Sequence, residues 1–405
     1  MTDTYYRWTI VGYTLVLQAV AIGTLIYSFA LFVIPWLEEF EAARADIMLT
    51  MSITQIASGL MSPIIGRAMD QYPVKRFIYS GLFLLATGLF LLSKVTDLWQ
   101  VHLIYGTFFP LGLTLMSTLA AQTLITRTFT DGRGTAIGIS ATGTNLGGII
   151  FPLLVSGWLV SMGWRETIEL LAIVALIAIG PLTWVVLRKE PSPFLSGENQ
   201  SGLSQEKKIW ETNEILRAPM FWVPSISLVT LNLGFGALQF NLGAFGRDVG
   251  FETTEVANLI ALNAVCMIAG KFFFGAIGDR VDHRVMYWIA AFLMACGMAA
   301  LQGDIDKTQL VFGIIGVGLA GGGILPMFGI IYSSRFGVGS FARVMGLAML
   351  VMMIGALGPF FAGWVYDQMG SYSLAFKIYM LLILPAALLI RWLPSPSASN
   401  LRMSS

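Results

Sequence analysis

Most of this 405-residue chain is made of long stretches free of Asp, Glu, Lys and Arg. The longest are 8–37, 98–126, 134–164, 218–246 and 308–334. Shorter ones lie at 47–66, 77–93, 170–187, 256–278 (interrupted by Lys271), 285–303, 344–366 and 372–390. A bilayer core about 30 Å thick is crossed by roughly 20 apolar residues rising 1.5 Å each, so these stretches predict twelve crossings, numbered one to twelve in chain order. Backbone N–H and C=O groups find no water in lipid. Helices satisfy them internally, and runs of this length exclude the short alternating strands of a barrel. The fold class is therefore an all-α membrane protein with twelve transmembrane helices.

Composition agrees: 56% of residues are apolar and 12% charged, against about a quarter charged in soluble domains. Twenty-four Lys and Arg against 23 Asp and Glu leave a net charge of +1, which gives no basic face for nucleic acid. Cys266 and Cys296 sit in apolar runs, and His102 and His283 stand far apart, so neither a disulfide framework nor a metal or cofactor site is expected. With both termini cytosolic, 18 basic residues fall on the cytosolic side and 6 outside. Leaving out Lys271 and the five in the central loop, the ratio is 12 to 6, as the positive-inside rule requires. The expected location is a plasma or bacterial inner membrane. The first residues, MTDTYYRW, lead into an apolar run too long for a signal-peptide core, so a removable targeting segment is not expected.

The one sizeable polar stretch, 188–217, is rich in Pro, Ser, Gly and mixed charge. It reads as a flexible linker, which gives a six-helix half at 1–188, a connection at 189–217 and a second half at 218–405. The halves repeat. Gly66 and Asp70 recur as Gly275 and Asp279, Arg76 as Arg284 and Arg133 as Arg343. Gly157-Trp158 recurs as Gly363-Trp364 and Met162-Gly163 as Met369-Gly370, all at offsets of 206 to 210. Two six-helix pseudo-repeats are the layout of a rocking transporter that holds its solute near the midplane.

Over its whole length the chain resembles the major facilitator superfamily. The resemblance rests on Gly66-Arg67-Ala68-Met69-Asp70 through Lys75-Arg76 and its copy Gly275 to Asp279-Arg280 through Arg284, two degenerate forms of the family's cytosolic loop motif. Within the superfamily it is similar to the monocarboxylate transporter and oxalate/formate antiporter branch. The matching segments are Phe129-Thr130-Asp131-Gly132-Arg133-Gly134, the stretch from Asn241 to Asp248-Val249-Gly250, and Gly358-Pro359 through Gly363 and Asp367 to Tyr372. The resemblance implies alternating access, with Gly66, Asp70, Arg76, Arg133, Gly275, Asp279, Arg280, Arg284 and Arg343 forming a conformational latch of cytosolic ion pairs.

Lys271 stands apart from the residues alone. It is a charge well inside a span, eight residues or about 12 Å from Asp279 at the cytosolic edge. An ammonium there serves a wet cavity or snorkels to headgroups along its four methylenes. The resemblance puts it where this branch carries a substrate-binding Arg on helix eight, so a carboxylate is its implied ligand. Lys offers a point charge in place of a planar fork, which loosens selectivity. Three family charges are absent: the helix-one Lys is Leu31, the acidic partner of the helix-eight cation is Met267, and helix eleven has no Lys at 344–366. One cation without a buried acid suits a monoanion and leaves the family's proton route without its acid.

Polar side chains recur on the helices that line the cavity in this fold. Thr114, Thr118 and Gln122 repeat every four residues on helix four, with Ser117 beside them. Thr24, Tyr27 and Ser28 lie on helix one, Asn232 and Gln239 two turns apart on helix seven, and Asn241 follows. They are candidate solute contacts; interhelical hydrogen bonding is their other use, and Gln122 lies low enough to be a gate. Gly321-Gly322-Gly323 is no phosphate loop, because no Lys-Ser/Thr follows. Without a Ser/His/Asp set or carboxylate pair, an enzyme is not expected. The expectation is a monomeric secondary transporter of small organic anions, monocarboxylates above all, coupled to a proton or an exchanged anion. An efflux transporter of apolar or weakly charged molecules and a non-transporting membrane sensor are the alternatives.

Overall fold

The structure is a computed structural model and describes residues 3–129, 133–189, 210–278, 280–303, 305–336 and 338–394. Twelve helices are long and apolar enough to cross a bilayer: Tyr5–Glu39, Arg44–Met69, Val74–Leu92, Leu98–Thr128, Thr135–Met162, Trp164–Val186, Pro219–Asp248, Thr253–Ile277, His283–Ala300, Lys307–Phe336, Arg343–Met369 and Ser373–Trp392. Their number and order match the charge-free stretches. Helix six departs most, starting at Trp164 where the charge-free stretch starts at 170, because Arg165, Glu166 and Glu169 belong to its first turns. These charges are accommodated at a helix end. Glu169 pairs with Lys94, and Arg165 donates to Glu39 at 2.7 Å and to the Ser93 and Val95 carbonyls at 3.0 and 2.8 Å.

Starts and stops follow local chemistry. The Asp282 carboxylate accepts from the Arg284 backbone N–H at 2.8 Å and opens helix nine. Asp306 and Gln309 exchange side-chain and backbone bonds at 2.7 and 2.9 Å at the head of helix ten, a reciprocal cap. Gly163 and Gly370, copies of each other in the two halves, follow helices five and eleven with φ of +83° and +68°, a backbone that a side chain would strain.

The chain divides into two compact units. Unit one holds 1–198 together with 240–264; unit two holds 199–239 and 265–405. The last third of helix seven and the first half of helix eight thus group with the first six helices. Within unit one, helices one and five touch backbone to backbone. A Cβ on Gly143 or Gly147 would overlap the carbonyls of Leu15 and Ala19, so only glycine permits this approach. Within unit two, helices eight and ten meet in the same way, Gly322 against the Met267 carbonyl and Gly270 against that of Leu319.

The connection ends in structure. Thr212–Arg217 forms a short helix, preceded by Trp210, whose N–H donates to Ser340 Oγ at 2.8 Å and whose carbonyl accepts from Arg343 at 2.6 Å. Its ring meets Phe336 edge-on at 5.3 Å.

Candidate functional site

In unit one the polar groups gather where helices one and four lose regularity. Helix one turns through a π-helical segment at Gly23–Tyr27, and Ser28 Oγ caps the displaced Gly23 carbonyl at 2.8 Å. Helix four is interrupted at Ser117 (φ −105°, ψ −131°) between Leu98–Met116 and Thr118–Thr128. Such interruptions in lipid need polar neighbours, and a side-chain network supplies them. Gln18 donates to the Ser140 carbonyl and hydroxyl at 2.9 and 2.8 Å and accepts from Thr118 at 3.1 Å, while Ser140 donates to Thr14 at 2.8 Å. Asn145 donates to the Tyr27 hydroxyl at 3.2 Å. Thr24 is buried in the π turn, and its hydroxyl has no hydrogen-bond partner among the described residues.

The helix-four stripe expected from sequence is therefore split. Thr114 is buried and donates to the Pro110 carbonyl at 2.7 Å. Ser117 is buried at the interruption, and beyond it Thr118 and Gln122 are exposed, one turn apart. Gln18, Ser140, Thr14 and Asn145 do not stand out in the sequence. A search limited to charges passes over them, yet Gln18 is an amide within an apolar run and carries the same kind of signal as Lys271.

In unit two, Lys271 is half-buried in the last third of helix eight, six residues before its end at Ile277. Residues on a helix turn by about 100° each, so the neighbouring Phe272 and Phe273, 66% and 46% exposed, form a face distinct from that of Lys271. Met267, Gly270 and Phe274, which meet Leu319, Gly322 and Gly323 of helix ten, form the packed face beside it. Lys271 thus leaves the helix beside the packed face, on a different side from the exposed phenylalanines. On helix seven Ser225 shares a 2.6 Å hydrogen bond with Tyr332, and Thr230 a 3.2 Å one with Tyr287. Asn232 lies against Gly355. Gln239 is buried in unit two and Asn241 in unit one.

Of the expected latch, Asp279 and the side chains of Asp70 and Arg133 lie outside the described residues. A Cβ on Gly66 would lie 4.0 Å from Leu119, one on Gly275 would meet open space, and Arg76 and Arg280 are exposed. Arg284 donates to the Leu393 carbonyl and Arg343 to that of Trp210. Arg335, just past the charge-free stretch, donates to His283 Nδ1 at 2.8 Å and to the Pro394 carbonyl at 3.0 Å. At the opposite end Arg44 and Asp248 form a two-pronged ion pair, which the sequence leaves unconnected because 204 residues separate them.

The family model described as Major Facilitator Superfamily matches residues 15–257 and 226–404. Monocarboxylate transporter 13 of Bos taurus is 24% identical over 383 residues, covering 93% of this chain and 86% of its own. Agnestins efflux protein AgnL12 of Paecilomyces divaricatus is 25% identical over 301 residues, covering 73% and 65%. The fold is similar to that of an inward-facing, occupied bacterial homologue of the human lysosomal transporter Spinster, with a TM-score of 0.74 at 16% identity over 98% of both chains.

Proposed function

The chain belongs to the major facilitator superfamily, a family of multi-pass membrane transporters and not of enzymes, and we propose that its cargo is small organic anions, monocarboxylates in particular, carried by alternating access. The observation that carries this reading is Lys271: a cation inside a span, six residues or about 9 Å from the helix end at Ile277, on a face distinct from the exposed Phe272 and Phe273. A charge at that depth is retained for a ligand or an ion, and a carboxylate is the complementary ligand of an ammonium. The similarity to a protein named monocarboxylate transporter 13 supports the same class. The asymmetry of basic residues supports cytosolic termini, and a single chain moves the cargo, in symport with a proton or in exchange for another anion.

The test is counterflow of labelled monocarboxylates in proteoliposomes with Lys271→Gln and Lys271→Arg. A charge-assisted hydrogen bond contributes about 1.5–3 kcal/mol, so Lys271→Gln is expected to lose about 10- to 100-fold in kcat/KM, with Lys271→Arg retaining most of it. Equal exchange by Lys271→Gln would remove the anchor. A second reading, efflux of apolar molecules, draws on the similarity to an efflux protein and on 27 Phe and 20 Met. Dye export that is indifferent to Lys271→Gln, without carboxylate exchange, would select it.

A further inference from the structure

We propose that the cavity bordered by Glu38 and Arg247 at one end of unit one is a headgroup site for a phospholipid with a primary amine, of the phosphatidylethanolamine kind, whose acyl chain lies along helix five. The cavity is about 310 Å³, at the lower end of small-ligand sites. All its lining residues belong to unit one. They come from helices one, five, six, seven and eight where these reach that end.

Charge lies at the rim of the cavity and apolar surface deeper. Glu38 and Arg247 are exposed, and each stands just before the last residue of its helix, Glu39 and Asp248. Ile34 and Leu159 line the cavity about one turn further in. Glu39 and Asp248 are themselves held in ion pairs, with Arg165 and Arg44. Glu38 and Arg247 border the same cavity yet do not pair with each other. Arg247 gives one N–H to the Phe251 carbonyl at 3.2 Å. Neither the remainder of its guanidinium nor the Glu38 carboxylate has a hydrogen-bond or ion-pair partner among the described residues. The cavity thus offers an unpaired cation and an unpaired anion to one guest.

An apolar path leads away from it. Val160, which lines the cavity, begins an exposed stripe on helix five that continues through Gly157, Leu154, Leu153 and Ile150 at helical spacing. Val160 is 67% exposed, Ile150 47% and the two leucines 42%. A Cβ on Gly157 would meet nothing within 4 Å, which leaves a notch in the stripe. From Val160 to Ile150 the stripe runs about 15 Å, the hydrocarbon depth of one leaflet. Charge complementarity names the head. A phosphate is the forked partner of a guanidinium, and a primary ammonium donates hydrogen bonds to a carboxylate where a quaternary one has no N–H to give. A dissolved zwitterion would satisfy both charges and leave the stripe unused, so a lipid fits the whole feature. The site does not involve Lys271 and holds for any cargo.

The experiment is native mass spectrometry of the full chain in detergent, titrated with dioleoylphosphatidylethanolamine and, separately, with dioleoylphosphatidylcholine. The parent is expected to bind the ethanolamine lipid several-fold more tightly. Arg247→Gln weakens both lipids about tenfold, because both carry the phosphate. Glu38→Gln weakens the ethanolamine lipid alone, down to the level of the choline lipid. Gly157→Trp fills the notch and weakens both. The ratio of the two affinities within one variant is the deciding readout, since a damaged fold would lower both together and would not imitate the Glu38→Gln result. Equal binding of the two lipids by the parent overturns the proposal, as does equal weakening of both by Glu38→Gln. Glycerophosphoethanolamine, the same head without chains, is expected to compete only weakly; competition at the concentration of the lipid would mark a site for a dissolved zwitterion and overturn the lipid as occupant.

Discussion

Helices four and ten occupy corresponding places in the two halves, yet the one with fewer helix-breaking residues near its middle is the one that breaks. Helix ten carries Gly321-Gly322-Gly323 and Pro326 and runs unbroken over Lys307–Phe336. Helix four has Ser117 and Thr118 at its interruption, seven residues beyond Pro110. The difference lies in what surrounds each backbone. The glycines of helix ten are occupied by neighbours, Phe235, the Met267 carbonyl and Phe274, which hold the helix straight by contact. Helix four instead meets Gln18, which binds Thr118 from one side and Ser140 from the other. In a membrane, backbone irregularity is permitted where polar partners stand ready, and glycine alone does not produce it.

Three substitutions test this contrast, in descending size. Gly322→Leu would drive a side chain into the Met267 backbone and is expected to cost about 3 kcal/mol or more, seen as loss of monodisperse protein and a lowered thermal midpoint in detergent; a stable variant would break the packing explanation. Gln18→Leu leaves Thr118 and Ser140 short of a partner and is expected to cost about 1–3 kcal/mol by the same readout, with Gln18→Glu recovering part of it. Ser225→Ala, which removes the interhelical hydrogen bond to Tyr332 and a local one to the Phe221 carbonyl from the regular helix seven, is expected to cost about 0.6 kcal/mol. A larger loss there than at Gln18 would mean that the second unit depends on polar bonding as much as the first.

Number, order and approximate limits of the twelve helices are legible in the sequence because transfer of charge into lipid is costly enough to empty whole spans of it. The same rule misplaces the start of helix six, since Glu169 is tolerated once Lys94 pairs with it at a helix end. Lys271 is legible for the converse reason, as an exception to the rule. The interruption at Ser117 and the π turn at Gly23–Tyr27 are not, because the apolar pattern runs through both without a Pro at either position. Gln18 is visible in principle, being uncharged but still expensive to bury alone. The pairing of Arg44 with Asp248 depends on how distant helices meet, which no local pattern encodes.

The contact of Gly143 and Gly147 with the carbonyls of Leu15 and Ala19 also limits how unit one can deform. Sliding helix one along helix five by a single residue, about 1.5 Å, would press Thr142, Thr144 or Leu146 toward backbone that only a hydrogen atom now faces. The two helices are keyed like a tooth in a rack and must travel as one rigid lever. Shape change during the transport cycle is thereby pushed into bending, at the π turn of helix one and at Ser117, and away from shear.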